Sequence, residues 1–159
     1  MNTAGPFINA AFFCERVIED KEGVLSAIRI VDRVLNVATG LDTPAAMPPM
    51  PVALTLLITL KSGAAKGRND VRITVERPSG IRSDLASALS VVLEGDDRGA
   101  NLVMNLGLTM TEEGLYWFDV FVDEVFATRV PLRILYQRQQ PGGREPGSPE
   151  PGTSETLNP

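Results

Sequence analysis

The chain has 159 residues, of which 43% are hydrophobic, and its 15 basic and 20 acidic side chains give a formal charge of −5. This length fits one domain with one hydrophobic core. The basic residues are scattered and not gathered into a stripe, so nucleic acid is not an expected ligand. The chain contains no histidine, which removes the commonest general base and the commonest transition-metal ligand.

The apolar stretches of the chain do not have the form of membrane segments. The stretch 7–13 is followed at once by Glu15 and Arg16, unlike a signal peptide. The run 52–60 is far shorter than the roughly 20 residues that span a bilayer as a helix. A single cysteine, Cys14, forms no internal disulfide, and the sequence therefore predicts a cytoplasmic protein that does not act on a membrane.

Short alternations of apolar and polar residues, separated by turn residues, predict an all-β domain. The eight predicted strands are 7–18, 24–35, 52–61, 70–77, 87–94, 100–108, 115–122 and 126–136. The segment 83–93 also matches helical spacing, and we predict a strand there. Eight strands without helices need two apolar faces packed together, so the predicted fold is a two-sheet antiparallel β-sandwich over residues 1–136.

The last predicted hairpin has a register that the sequence specifies, because directly opposite residues of an antiparallel pair share a face. A three-residue loop at 123–125 pairs Phe118 with Val130 and Asp119 with Arg129. A two-residue loop would place Phe118 opposite Arg129, which a buried face does not tolerate. The pattern therefore favours the longer loop.

The first predicted hairpin is treated in the same way. A five-residue loop at 19–23 pairs Cys14 with Ile28 and Phe12 with Ile30. This register gives the hairpin one apolar face, which we assign to the core.

The segment from Glu113 to Phe118 is similar to the start of strand F in immunoglobulin-like domains, where a tyrosine hydrogen-bonds back to the preceding chain. Tyr116 corresponds to that tyrosine, and Phe118 stands where those domains have their second cysteine. The paired cysteines and the central tryptophan of the pattern are missing. An immunoglobulin-like strand order is therefore one of the arrangements open to the predicted sandwich.

The composition changes at Gln137. Residues 137–159 contain five prolines, four glycines and a single aliphatic residue, Leu157. Such a segment does not bury enough apolar surface to offset its loss of conformational entropy. We predict a disordered tail, which acts as a solubilising segment, a tether or a docking peptide.

Apolar side chains occupy faces that the predicted registers turn away from the core. Aromatic residues clustered on an outward face favour contact with another protein or with a second copy of the chain. The alternative for Trp117 is a cover supplied by a second sheet or by the proline-rich loop 44–51. The candidate interface residues are Leu115, Trp117, Phe121, Phe13 and Val17.

Two groups of residues carry chemistry of their own. The carboxylates of Glu94, Asp96 and Asp97 are suitable oxygen ligands for Ca²⁺, with a solvated turn as the alternative. Cys14 lies near Arg16 and Lys21, cations that activate a thiol, but free cysteines are often buried as small hydrophobic residues.

The residues indicate no enzyme and no cofactor, since neither a dinucleotide fingerprint nor a phosphate-binding glycine loop is present. We expect a non-enzymatic protein-interaction or structural module. The alternative is a sandwich that binds Ca²⁺ or carbohydrate through loops near Asp96 and Asp97.

The run from Phe12 to Ser26, continued by Arg29 to Arg33, resembles the opening of a family of uncharacterised bacterial proteins. The later Gly114-Leu115-Tyr116 hairpin is similar as well, so the resemblance covers approximately residues 7–135 and leaves out the tail. It implies a bacterial cytoplasmic β-sandwich, and it supplies no activity and no site residues.

Overall fold

The computed structural model describes residues 4–140. Every helix or strand in this range is a β-strand, which confirms the predicted all-β class, and the range holds no helical segment able to cross a membrane. The strands are β1 (Phe7–Glu19), β2 (Leu25–Val31), β3 (Arg33–Thr39), β4 (Met50–Glu76), β5 (Arg82–Met110), β6 (Gly114–Val122) and β7 (Val125–Gln139). The first three residues of the predicted tail, 137–139, thus belong to β7, and the tail from 141 onward lies outside the described residues.

These strands form one open, mixed sheet with the order β2-β1-β4-β6-β7-β3, and β5 pairs with β4. All pairs are antiparallel except β3 with β7. The prediction of two separate antiparallel sheets with eight strands is therefore not confirmed.

The strand count differs because two pairs of predicted strands are continuous. β4 contains 52–61 and all of 70–77 except Arg77, and β5 contains both 87–94 and 100–108, including the segment with helical spacing. The intervening segments were predicted as turns, but they remain opposite each other in the ladder, with Gly63 paired to Asp96. Register shifts around Gly63 absorb the irregular residues, so the glycines bend the two strands without ending them.

The bend folds the sheet onto itself. Phe13 on β1 lies opposite Leu56 of β4, and Phe118 on β6 lies opposite Val75 of the same strand. A straight strand would separate positions 56 and 75 by about 60 Å. The rings of Phe13 and Phe118 nevertheless meet edge to face, with centroids 4.8 Å apart. The two halves of β4 must therefore face each other, and the core lies between them.

The predicted strand 24–35 is divided at Asp32, which belongs to neither β2 nor β3. β2 pairs with β1, whereas β3 crosses to the other end of the sheet and runs parallel to β7. The Asp32 carbonyl accepts a hydrogen bond from the Arg133 amide at 2.9 Å, which fixes the start of the parallel pair. The parallel partner was not foreseen because it lies about a hundred residues away in sequence.

The last hairpin has the predicted core pairs and a different loop. Phe118 pairs with Val130 and Asp119 with Arg129, as the sequence indicates. The loop, however, has two residues, Asp123 and Glu124, both with positive φ as in a type I′ turn. A bulge at Ala127 of β7, opposite the step from Val120 to Phe121, supplies the extra residue that restores the register.

The first hairpin is displaced by two residues from the predicted register. Cys14 pairs with Ile30 and not with Ile28. The faces are also exchanged: Phe13 is fully buried in the core, and Phe12 and Cys14 lie on the other face. β1 is apolar on both faces, so alternation alone does not select the one that faces the core.

The predicted back-bonding of Tyr116 is present. Its hydroxyl donates to the carbonyl of Glu112 and accepts from the amide of Glu112, both at 3.0 Å. This pair of bonds fixes the turn that enters β6, and Tyr116 itself is buried.

We predict that Gly99→Ala destabilises the domain by about 1–3 kcal/mol, because a Cβ at position 99 would overlap the carbonyl oxygen of Leu60 at the bend. The matched control is Gly107→Ala on the same strand, where a Cβ meets nothing within 4 Å. That variant should change the free energy of unfolding by less than about 0.5 kcal/mol. Urea denaturation measures both, and equal effects at the two positions would contradict a tight bend.

Candidate functional site

The described residues leave one long strand without a neighbour on its outer side. β5 pairs with β4 over almost its whole length, and no other strand of residues 4–140 pairs with it. None of the backbone hydrogen bonds formed outside the strand ladders in this range involves residues 82–110. A strand edge of this kind presents a row of amide and carbonyl groups to any chain that approaches it.

The C-terminal part of this edge is also where the hydrophobic core is incompletely covered. On β4 the core-facing residues are at most 7% exposed; they are Val52, Leu54, Leu56, Ile58 and Leu60. Their direct partners on β5 pack against the same core but are only partly buried; they are Leu108, Leu106, Met104, Leu102 and Ala100. These five β5 residues are therefore core side chains on the last strand of the sheet, with no strand of residues 4–140 on their outer side. We call the row Leu108, Leu106, Met104, Leu102 and Ala100 the open row.

Exposed strand edges are usually protected by charged residues or proline. The segment from Gly99 to Met110 contains neither. The preceding part of β5 is protected, since it carries Arg82, Asp84, Glu94 and Arg98. The unprotected length therefore coincides with the open row.

The other two edges of the sheet differ from β5. β2 and β3 have seven residues each, and β2 contains Arg29, whose φ of 50° is irregular for a strand. β3 exposes Leu35 and Val37. Neither edge has an open core row of comparable length, so β5 is the strongest candidate for contact with another chain.

The predicted outer face of β6 is covered by arginine side chains. The guanidinium carbon of Arg129 lies 5.2 Å from the ring centroid of Trp117, and that of Arg72 lies 4.3 Å from the ring centroid of Phe121. Phe121 also meets Phe126 edge to face. Stacked cations shield aromatic rings and are themselves stabilised by them. Trp117 and Phe121 are therefore partly buried within their own chain.

Carboxylates hold these arginines in position. Arg129 contacts Asp119 at 2.5 and 2.8 Å, and this hydrogen bonding holds the pKa of the Asp119 carboxyl below its usual value. Arg72 donates to both carboxylate oxygens of Glu124, whose pKa is lowered for the same reason. The arrangement is a structural network on the outer face, with no unpaired acid or base positioned for proton transfer.

The remaining predicted interface residues lie apart from one another. Phe13 is withdrawn into the core by its contact with Phe118, so it does not belong to an external surface. Leu115 is partly buried opposite Arg133 on β7. Val17 is partly buried opposite Ala27, near the end of β1.

The predicted calcium ligands do not form a common site. Glu94 pairs with Arg98, and Asp96 lies at the bend with a φ of 57°. The carbonyl of Asp97 accepts a hydrogen bond from the Lys61 ammonium group at 3.0 Å. Within residues 4–140 no three acidic or cysteine side chains converge closely enough to hold a metal ion.

Cys14 is fully buried, and burial raises the pKa of its thiol. Its sulfur lies 3.5 Å from the carbonyl of Arg16, which accepts a weak hydrogen bond. The raised pKa and the lack of access to solvent favour the role of a small hydrophobic residue over that of a nucleophile.

A surface pocket of about 540 Å³ lies between the start of β1 and the tip of the β6–β7 hairpin. Its apolar lining includes Phe7, Val125 and Phe126. The carboxylate of Asp123 in this lining accepts a hydrogen bond from the Asp70 amide at 2.8 Å and so stabilises the turn. The pocket is therefore lined by both apolar side chains and the polar side chains of Asp123 and Thr128.

A family model described as "Family of unknown function (DUF6941)" matches residues 9–135, which is more than half of the chain. The chain belongs to this family. The match confirms the resemblance found in the sequence, and the family brings no activity with it. A comparison with curated proteins finds no match.

Sequence reasoning missed the open row in this member of the family. The alternation of residues 100–108 predicted a strand, and the structure has this segment within β5. What the pattern does not reveal is that β5 lies at an edge, because that depends on which strand pairs with which. The absence of charge from Gly99 to Met110 was the one available signal.

We predict that Asp119→Asn lowers the free energy of unfolding by about 1–2 kcal/mol at pH 7. A fully buried ion pair would contribute more, but the Arg129 side chain is 36% exposed and solvent screens its charge. The native pKa of Asp119 is lowered, so its stabilisation is present above the pKa of the unfolded chain and is lost as the pH falls through the native value. The difference between wild type and variant should therefore shrink below pH of about 4.

Urea denaturation over a pH series measures this effect. The control is Asp70→Asn, since the Asp70 carboxylate makes only an exposed contact with Arg68 at 3.6 Å and should contribute less than about 0.5 kcal/mol. A deficit for Asp119→Asn that stays constant at every pH would show that packing, and not charge, gives Asp119 its role.

Proposed function

We propose that this domain is a non-enzymatic protein-interaction module that binds an extended strand along Gly99–Met110 of β5. The observation that carries the proposal is the open row, which is only partly buried although its partners on β4 are buried. Strand addition at such an edge obtains affinity from main-chain hydrogen bonds and specificity from alternate side chains.

Two properties of this edge support a strand as the ligand. The amide and carbonyl groups on the outer edge of β5 form a regularly spaced row. An added strand has complementary groups at the same spacing and can hydrogen-bond to the whole row. Every second side chain of that strand would extend the open row and reduce its contact with water. A small molecule would satisfy only part of this length.

The charge distribution favours an uncharged, apolar ligand strand. The segment from Gly99 to Met110 offers no charged side chain for an ionic contact. The formal charge of −5 and the scattered basic residues give nucleic acid no basic surface to bind. The proposed partner is therefore another protein or a second copy of the chain, with no part for a metal or cofactor.

We also infer that the folded sheet acts as a two-layer sandwich, which keeps the core rigid behind β5. The edge-to-face contact of Phe13 and Phe118 supports two packed layers. The bonds between Tyr116 and Glu112 support the comparison with immunoglobulin-like domains. The proposed binding mode depends on the rigid layer and not on that comparison.

We predict that a ten-residue peptide of alternating valine and threonine, with N-methyl groups along one edge to prevent self-association, binds with a dissociation constant below about 1 mM. In an NMR titration the peptide should shift the backbone resonances of residues 99–110. Leu106→Lys places a charge in the open row and should weaken binding at least about tenfold.

The control is Val92→Lys, because Val92 lies on the protected part of the same strand and is already 68% exposed. This variant should bind the peptide as well as the wild type does. Equal shifts at β2, β3 and β5, or no shift at any edge, would contradict the proposed binding site.

A further inference from the structure

From the open row we infer that the natural ligand of β5 is β5 of a second copy of the chain, paired antiparallel across a two-fold axis at Asn105. This inference rests on the proposed strand-binding function and names its partner. Two-fold pairing of a strand with itself is an isologous contact, so the same segment must be complementary to its own reverse.

The sequence of β5 has this complementarity. With Asn105 opposite its own copy, Leu102 lies opposite Leu108, and Met104 lies opposite Leu106. These four side chains face the core in each copy, so the two open rows would join into one apolar layer. A shift of one residue would instead set the open row against the outward face that carries Asn101 and Thr109.

Neighbouring registers that keep the faces matched are less favourable. Moving the axis to Met104 would place Met110 opposite the charged Arg98. Moving the axis to Leu106 would shorten the ladder. Residue 100 would then lie opposite residue 112 of the other copy, which is beyond the end of β5 at Met110. With the axis at Asn105, all residues from 100 to 110 pair among themselves, and no charge enters the ladder.

The side chain of Asn105 suits a position on the axis. Its Oδ1 accepts a hydrogen bond from the Thr55 hydroxyl at 2.9 Å, which holds the amide group on the outward face. The side-chain amides of two copies would then lie opposite each other, and each can both donate and accept. Eleven residue pairs in such a ladder give about ten main-chain hydrogen bonds, the number found in a typical stable interface.

The C-terminal segment of the same chain is a weaker occupant. Residues 141–159 contain five prolines, which have no amide hydrogen to donate to a strand ladder. They contain one aliphatic residue, Leu157, whereas the open row has four large apolar side chains to cover. A second copy supplies an apolar partner for each of the four. Composition therefore favours self-association.

Sedimentation equilibrium of the full chain tests the inference. We expect a concentration-dependent rise to twice the chain mass. Asn105→Asp retains an acceptor for Thr55 but places two negative charges directly opposite each other, and it should weaken the dimer about tenfold or more. Asn101→Asp is the matched control: it adds the same charge on the same face, opposite Thr109, and should change the dissociation constant less than about threefold.

A cross-link tests the register. In the proposed dimer the Cα atoms of the two copies of residue 105 are about 4.5–5.5 Å apart, within the range of a disulfide. Asn105→Cys should therefore form a covalent dimer under mild oxidation. Asn101→Cys, with its two copies about 27 Å apart, should not. The native Cys14 is buried and common to both variants.

A chain that stays monomeric at every concentration overturns the inference, as does a dimer that Asn105→Asp and Asn101→Asp weaken equally. A monomer that still binds the valine-threonine peptide at residues 99–110 would leave the proposed strand-binding function standing and would assign the edge to a different protein. A monomer that binds no peptide would remove both.

Discussion

The fold depends on one constraint, which is that β4 and β5 remain paired while they bend. Their ladder extends from the pair Met50–Met110 to the pair Glu76–Arg82 and passes through the irregular region around Gly63 and Gly99. The bend brings the two halves of β4 face to face and creates the core. Because the other edge of β4 is occupied by β1 and β6, the same ladder leaves β5 at the edge of the sheet. The core and the candidate binding edge thus have a single structural cause.

The sequence predicts those features that depend on local alternation. The core pairs of the β6–β7 hairpin follow from the spacing of Tyr116, Phe118 and Val120, and the structure has them. The loop was predicted one residue too long, since a bulge restored the register that a two-residue turn disturbs. In the first hairpin the prediction chose the wrong face, because Phe12 and Phe13 are equally apolar and only the tertiary fold distinguishes them.

Other features depend on contacts between distant parts of the chain and were not predictable in this way. Glycines read as ends of strands bend two continuous strands instead, since a turn and a bend have the same local composition. Arg129 was the expected partner of Asp119, but its position over Trp117 was not foreseen, and Arg72 reaches Phe121 from a different strand. The outward aromatics that sequence reasoning favoured as an interface are thus partly covered by arginine side chains, and the partly buried open row lies on β5.

The proposed function requires that the outer edge of β5 is open in the single chain and is completed by another strand. Amide hydrogen exchange of the full chain at increasing protein concentration measures this directly. We expect outward-facing amides between residues 100 and 110 to exchange rapidly in dilute solution and slowly in concentrated solution, while the amides that bond to β4 stay protected throughout. Equal, strong protection of all these amides at every concentration would rule out an open edge, because it would show that β5 is already covered within one chain.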